Sequence, residues 1–143
     1  MPTLLLVDDE PYVRYVVRGM LRGMGYVVRE AANGRKALEA VTVARPDLVI
    51  LNIVMPEMNG LTVLDRFRAL GLVEELPVLV ITGSLTPDHV ILEKGARGVL
   101  RKPFRTRTLR SAVRIMARGG TLNTQWMLLI TLLSGFGEAL SLS

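Results

Sequence analysis

Every position of Leu48–Leu51 is apolar, and Thr3–Val7 and Pro77–Ile81 are nearly as uniform. A strand with one face in water alternates polar and apolar residues. A strand without that alternation has no face to give to water and must be covered on both sides. Helix patterns lie between these runs and can supply the cover. Pro11 suits the first turn of a helix, where its missing N–H costs nothing. Val13, Val16, Val17, Met20, Leu21 and Met24 then recur on one helical face, and Gly25 ends the run.

The alternation continues along the chain. Tyr26–Arg29 reads as a short strand. Asn33-Gly34 opens a helix through Ala37, Leu38 and Val41, which Arg45-Pro46-Asp47 breaks. Leu61–Leu70 is a third helix and Pro87–Lys94 a short fourth. Val99–Arg101 is a fifth strand, Lys102-Pro103-Phe104 a turn, and Arg107–Arg118 a fifth helix. Strands alternating with helices predict an α/β fold: a doubly wound, five-stranded parallel sheet between two helical layers. In such sheets the site lies beyond the carboxyl ends of the strands.

Those ends carry the chemistry. The first strand runs into Asp8-Asp9-Glu10, the third into Asn52, the fourth into Thr82-Gly83-Ser84 and the fifth into Lys102-Pro103. Adjacent carboxylates suit a hard cation such as Mg²⁺. A lysine and a hydroxyl suit a phosphoryl group. The simpler alternative is that Asp8-Asp9-Glu10 only caps the first helix. That alternative leaves Thr82 and Lys102 without a role.

Charge and composition narrow the classes further. With no cysteine, disulfides, thiolate catalysis and Cys-based zinc sites are excluded; a reducing, cytoplasmic setting fits. Met1–Val7 meets Asp8 too soon for a secretory leader. Residues 1–93 carry a net charge of −3, whereas residues 94–118 carry nine basic side chains and no acidic one. Arg107, Arg110, Arg114 and Arg118 form one stripe of the fifth helix, opposite Leu109, Val113 and Met116. The alternatives for this stripe are a solvated face or a docking surface for an acidic partner. Nucleic acid is disfavoured because no aromatic interleaves the arginines and no helix-turn-helix follows.

The chain resembles the receiver domains of two-component response regulators, the CheY-like family. The resemblance rests on Leu5-Leu6-Val7-Asp8-Asp9-Glu10, on Pro46 through Gly60 around Asn52, on Pro77 through Gly83, and on Lys102-Pro103-Phe104. It spans roughly residues 3–118, so residues 1–118 are read as a receiver-like domain and 119–143 as an apolar tail. It implies a flavodoxin-like sandwich with strand order 2-1-3-4-5 and a role in phosphorelay signalling. It implies a Mg²⁺ site at Asp8, Asp9, the residue-52 side chain and the Val54 carbonyl. It also implies that Lys102 contacts the phosphoryl group or the residue-52 side chain, that Thr82 tracks phosphorylation, and that the Lys102–Pro103 peptide is cis. A histidine kinase or another signalling protein is the implied partner. Helix 4, strand 5 and helix 5 are the implied dimer or effector face.

Three positions depart from the family pattern. Asn52 stands where a nucleophilic aspartate is expected. An amide can ligate a metal or accept a hydrogen bond, but it cannot form an acyl phosphate. It also leaves the pocket near −1 rather than −2 beside Lys102, so Mg²⁺ should bind weakly. Val99 stands where receivers place a mobile Tyr or Phe. The Thr82–Lys102 interval is slightly short, which trims helix 4. Together they suggest a degenerate receiver that acts as a protein-interaction module without enzymatic activity. The alternative is an ordinary aspartyl phosphoacceptor in which Asn52 has been engineered.

The tail is the least expected segment. Leu122, Trp126, Leu129 and Leu133 keep helical spacing, and Trp126–Leu133 has one polar residue, Thr131. The run is too short to span a bilayer. It predicts a helix that packs on the domain or on a second copy, with Trp126, Leu129 and Leu133 as contacts.

Overall fold

The computed structural model describes residues 1–119 and the backbone of 139–140. Trp126, Leu129, Leu133 and most of the predicted tail helix lie outside the described residues. Within the described residues the elements run β1 (Thr3–Val7), α1 (Pro11–Gly23), β2 (Val27–Ala31), α2 (Gly34–Val43), β3 (Leu48–Asn52) and α3 (Gly60–Ala69). They continue as β4 (Val78–Thr82), α4 (Asp88–Glu93), β5 (Gly98–Arg101), β6 (Phe104–Arg105), α5 (Thr106–Ala117) and β7 (Ala139–Leu140). The main sheet has the order β2-β1-β3-β4-β5 and every pairing in it is parallel.

The apolar strands are buried on both faces, as their sequence requires. Leu4 and Leu6 of β1, Leu48 and Ile50 of β3, and Leu79 and Ile81 of β4 pack with Val13, Val17 and Leu21 of α1. The same core holds Leu109, Val113 and Met116 of α5. The alternate residues Leu5, Val7, Val49, Leu51, Val78 and Val80 face a second core with α2, α3 and α4. The period-2 geometry of a strand splits one uninterrupted run between two cores.

Two asparagines start helices through their side chains. Asn33 Oδ1 accepts from the Lys36 N–H at 2.8 Å, and Asn59 Oδ1 accepts from the Thr62 N–H at 3.0 Å. Each satisfies an amide the helix cannot satisfy itself. By contrast α1 has no side-chain cap. Asp8 Oδ1 instead accepts from the Glu10 N–H at 2.9 Å, ahead of the helix. The capping alternative for Asp8-Asp9-Glu10 is therefore not what the carboxylate of Asp8 does.

Helix α4 is six residues long and buries only Ile91, in keeping with the short Thr82–Lys102 interval. One feature departs from the sequence reading. Phe104, expected in a turn, begins β6, which pairs antiparallel with β7 through Phe104–Leu140 and Arg105–Ala139. A two-residue strand has too little pattern to be read locally, and its partner lies far along the chain.

Candidate functional site

Parallel pairing brings the carboxyl ends of β1, β3, β4 and β5 to one edge of the sheet. Val7 pairs with Leu51, Asn52 with Ile81, and Thr82 with Arg101. Beyond that edge lies a cleft of about 310 Å³ lined by Asp9, Glu10, Asn52, Val54, Gly83 and Lys102. The structure thus brings Asp9, Asn52, Val54 and Lys102, four of the candidate site residues, to one cleft. Asp8 and Thr82 are buried and are not lining residues. Glu10 and Gly83 take their place. The Lys102–Pro103 peptide is cis.

Asn52 is 6% exposed and both ends of its amide are engaged. Its Nδ2 donates to the Val54 carbonyl at 2.8 Å, and its Oδ1 accepts from Lys102 Nζ at 3.4 Å. The surroundings fix this orientation. A carbonyl needs a donor and an ammonium needs an acceptor, so a flipped amide would satisfy neither. The loop after Asn52 is held in turn by the Gly60 N–H, which donates to the Ile53 carbonyl at 2.8 Å. Within that loop Glu57 takes a left-handed backbone (φ 66°), an uncommon state for a residue with a side chain.

Burial raises the carboxyl of Asp8 above its ordinary value of 3.8. The Glu10 N–H and the charge of Lys102 pull it partly back. A carboxylate whose folded pKa is raised costs stability when it is ionised. The cost is full above the folded pKa and disappears as pH falls to 3.8. Asp8→Asn should therefore raise the thermal midpoint at neutral pH, with the advantage shrinking as pH approaches 3.8. Melting curves of both proteins across that range check this; an advantage that grows on acidification would contradict it.

The β4–α4 loop is tied down from two sides. Thr82 Oγ1 accepts from the Ser84 N–H at 2.8 Å and donates to Ser84 Oγ at 2.9 Å. From β5, Arg101 reaches the same loop. Its Nη1 donates to the Ser84 carbonyl at 2.5 Å and its Nη2 to the Thr86 carbonyl. Its Nε and Nη2 both donate to Asp88 Oδ1, at 2.9 and 2.6 Å. A planar guanidinium suits this fork, and an ammonium could not reach all three partners at once. Arg101→Ala should speed amide exchange at Ser84, Thr86 and neighbouring residues by roughly tenfold or more, equivalent to about 1.4 kcal/mol of local stability. Arg101→Lys should recover only part of it. Unchanged exchange in both variants would show that the loop holds itself.

The remaining predicted positions lie away from the cleft. Arg107, Arg110, Arg114 and Arg118 are exposed along α5 and just past its end. Val99 is buried in the second core, in the cluster that holds side chains of α2, α3 and α4.

The donor set around the cleft is all oxygen: the carboxylates of Asp9 and Glu10, the Asn52 amide oxygen and the Val54 carbonyl. Oxygen donors fit a hard cation such as Mg²⁺, which keeps several waters. The fit is reduced, because Asn52 is neutral and already occupies the Val54 carbonyl. Among the described residues, no three His, Cys, Asp or Glu side chains cluster closely enough to hold a metal.

The sequence pattern of the response regulator receiver domain matches residues 4–114. This chain belongs to the response regulator receiver domain family. The response regulator MprA of Mycolicibacterium vanbaalenii is 38% identical over 120 residues, covering 82% of this chain and 51% of that protein. The receiver domain described here thus spans about half the length of the curated relatives it matches. Chemotaxis protein CheY4 of Vibrio cholerae is similar in structure, with a TM-score of 0.73 and 34% identity over 80% of this chain and 97% of that one. TrrA of Thermotoga maritima, solved in complex with Mg²⁺ and a beryllium fluoride, gives a TM-score of 0.73 at 29% identity, covering 81% and 99%. These relatives place the receiver domain in two-component signalling and its five-stranded sheet among CheY-like folds.

Proposed function

We propose that this receiver domain is a protein-interaction module whose signalling state does not depend on phosphorylation. Asn52 takes the phosphoacceptor position, with Lys102 and Thr82 as the groups that would attend a phosphoryl transfer. Asp8, Asp9, Asn52 and the Val54 carbonyl would form a weak Mg²⁺ site. The observation that carries the reading is the Asn52 amide itself. It is not nucleophilic, and it fills both of its contacts with Val54 and Lys102. The Arg101 fork points the same way, since it ties the β4–α4 loop down through Ser84, Thr86 and Asp88.

A histidine kinase or another signalling protein is the partner that fits this family. The surface of α4, β5 and α5, with Arg107, Arg110, Arg114 and Arg118, is the docking face, and the apolar tail around Trp126, Leu129 and Leu133 is a second association site. No helix among the described residues is long and apolar enough to cross a membrane. A cytoplasmic site of action fits the absence of cysteine.

The deciding experiment treats the protein and its Asn52→Asp variant with acetyl phosphate and Mg²⁺, followed by intact mass measurement and a conformational readout. The reading expects no phosphoryl transfer to either protein. A phosphorylated variant that also changes conformation would return the chain to ordinary phosphoacceptor receivers with an engineered Asn52. The retained Asp8, Asp9, Thr82 and Lys102 are what keep that second reading in play.

A further inference from the structure

The far end of the chain returns to the domain beside the cleft. The backbone of β7, Ala139–Leu140, pairs antiparallel with β6, so that Leu140 lies opposite Phe104 and Ala139 opposite Arg105. Strand β6 is not part of the five-stranded sheet. It directly follows Lys102-Pro103, and Lys102 lines the cleft and reaches Asn52. The pairing therefore sits at the rim of the cleft.

We infer that β6 is a strand-docking edge and that this chain's own end is its occupant, a clasp that keeps other extended segments off the cleft rim. The inference goes beyond the interaction-module reading and does not depend on whether residue 52 can be phosphorylated. The edge is prepared for a strand. The Phe104 side chain is 5% exposed and belongs to the first core with Leu109, Ala112 and Val113. That anchor orders the β6 backbone in advance, so docking costs little on the domain side. Main-chain bonds supply the contact in strand addition, and the uncharged pair Ala139-Leu140 brings nothing into the ladder that would oppose it. Charge adds to the fit. Glu138, next to Ala139 in the chain, is the one acidic residue after position 93, whereas the segment around β6 contains Arg101, Lys102, Arg105 and Arg107.

Chain length and mass action favour the chain's own end over that of a second copy. Helix α5 has 12 residues and is about 18 Å long at 1.5 Å per residue, so Gly119 lies roughly that far from β6. The 19 residues between Gly119 and Ala139 would cover about 28 Å even at the compact rise of a helix. Closure is therefore within easy reach. A tether of this kind gives an effective concentration on the order of 1 mM, far above that of other copies in a micromolar solution. A two-residue ladder is marginal by itself, so the clasp can open and yield β6 to a competing strand.

The test uses the full chain, which has no cysteine of its own. Arg105→Cys with Ala139→Cys sets two thiols directly across the ladder, within the Cα separation of about 4.4–6.8 Å that a disulfide needs. Arg66→Cys with Ala139→Cys is the control, because Arg66 is exposed on α3, which packs on the other core. At about 1 μM protein the first pair should close within one chain at least about tenfold faster than the control, read by intact mass and non-reducing electrophoresis. A second arm leaves the domain's own sequence untouched, and so reads the clasp even if Arg105→Cys disturbs folding. Ala139→Pro with Leu140→Pro removes both N–H donors of β7 and should open the clasp. A synthetic peptide spanning residues 137–143 should then shift the Phe104 and Arg105 amide NMR signals of that variant and leave those of the parent unmoved. Equal closure rates, disulfide-linked dimers, or a peptide that shifts both proteins alike or neither would overturn the inference.

Discussion

Asn52→Asp should lose stability in the presence of a chelator and regain it when Mg²⁺ is added, while the parent protein responds little to either. In the parent, the amide N–H donates to the Val54 carbonyl at 2.8 Å. An ionised carboxylate at residue 52 has no proton to give. Two acceptors would then face each other at a site only 6% exposed. Leaving a buried acceptor unpaired costs about 1–3 kcal/mol. The added charge also joins Asp8, whose carboxyl burial already disfavours ionisation, and Asp9 at the rim. Lys102 offsets part of this through a stronger contact with a charged oxygen. The balance favours loss, because one ammonium would answer three carboxylates. A destabilisation of that size lowers the midpoint by roughly 5 °C. A divalent cation between residue 52 and the Val54 carbonyl would supply the missing positive partner. The Asn52 N–H thus does within the chain what a cation would otherwise do. Equal midpoints for the two proteins, with and without Mg²⁺, would sink this account.

The same contrast explains why much of the site was legible in the sequence and part of it was not. Leu4–Val7, Val49–Leu51 and Val78–Ile81 leave no water-facing side, so a covered parallel sheet followed from them directly. The sheet then fixed where Asn52 and Lys102 would meet. Strand-end order could not say which of Asp8 and Asp9 faces the cleft. That depends on how the chain leaves β1, and Asp8 turns inward to bond the Glu10 N–H while Asp9 lines the cleft. Thr82 was placed correctly along the chain, but its hydroxyl is taken by Ser84, a partner two residues away that any loop might or might not present. Arg101 was legible only as the end of the fifth strand. Its fork across Ser84, Thr86 and Asp88 depends on where the loop folds, which no local pattern encodes. Nor does the sequence around Gly60 show what that residue does for Asn52, because the close approach of α3 to the end of β3 is a tertiary contact.

Gly60→Ala should be among the most damaging single changes in the domain, and it should reach the cleft. A β-carbon at Gly60 would lie 2.4 Å from the Asn52 carbonyl oxygen and 2.8 Å from the Ile53 Cα. Both are backbone atoms, so no side chain can rotate out of the way. Either the start of α3 or the end of β3 must move, and the Gly60 N–H bond to the Ile53 carbonyl would stretch with it. Overpacking a tight interior costs about 1–3 kcal/mol, and rigid neighbours push the cost to the upper end, about 3 kcal/mol or more. Because the strained atoms belong to Asn52 and Ile53, the Asn52–Val54 contact should loosen as well. Gly83→Ala is the matched control. Its β-carbon would meet only the flexible Lys102 side chain, at 3.8 Å and beyond, so its effect should stay within about 0.5 kcal/mol. Denaturant unfolding of the two variants, with amide exchange at Asn52 and Val54, measures both parts of the effect. If Gly60→Ala proved as mild as Gly83→Ala, the close approach of α3 to the end of β3 would not be what holds Asn52 in place.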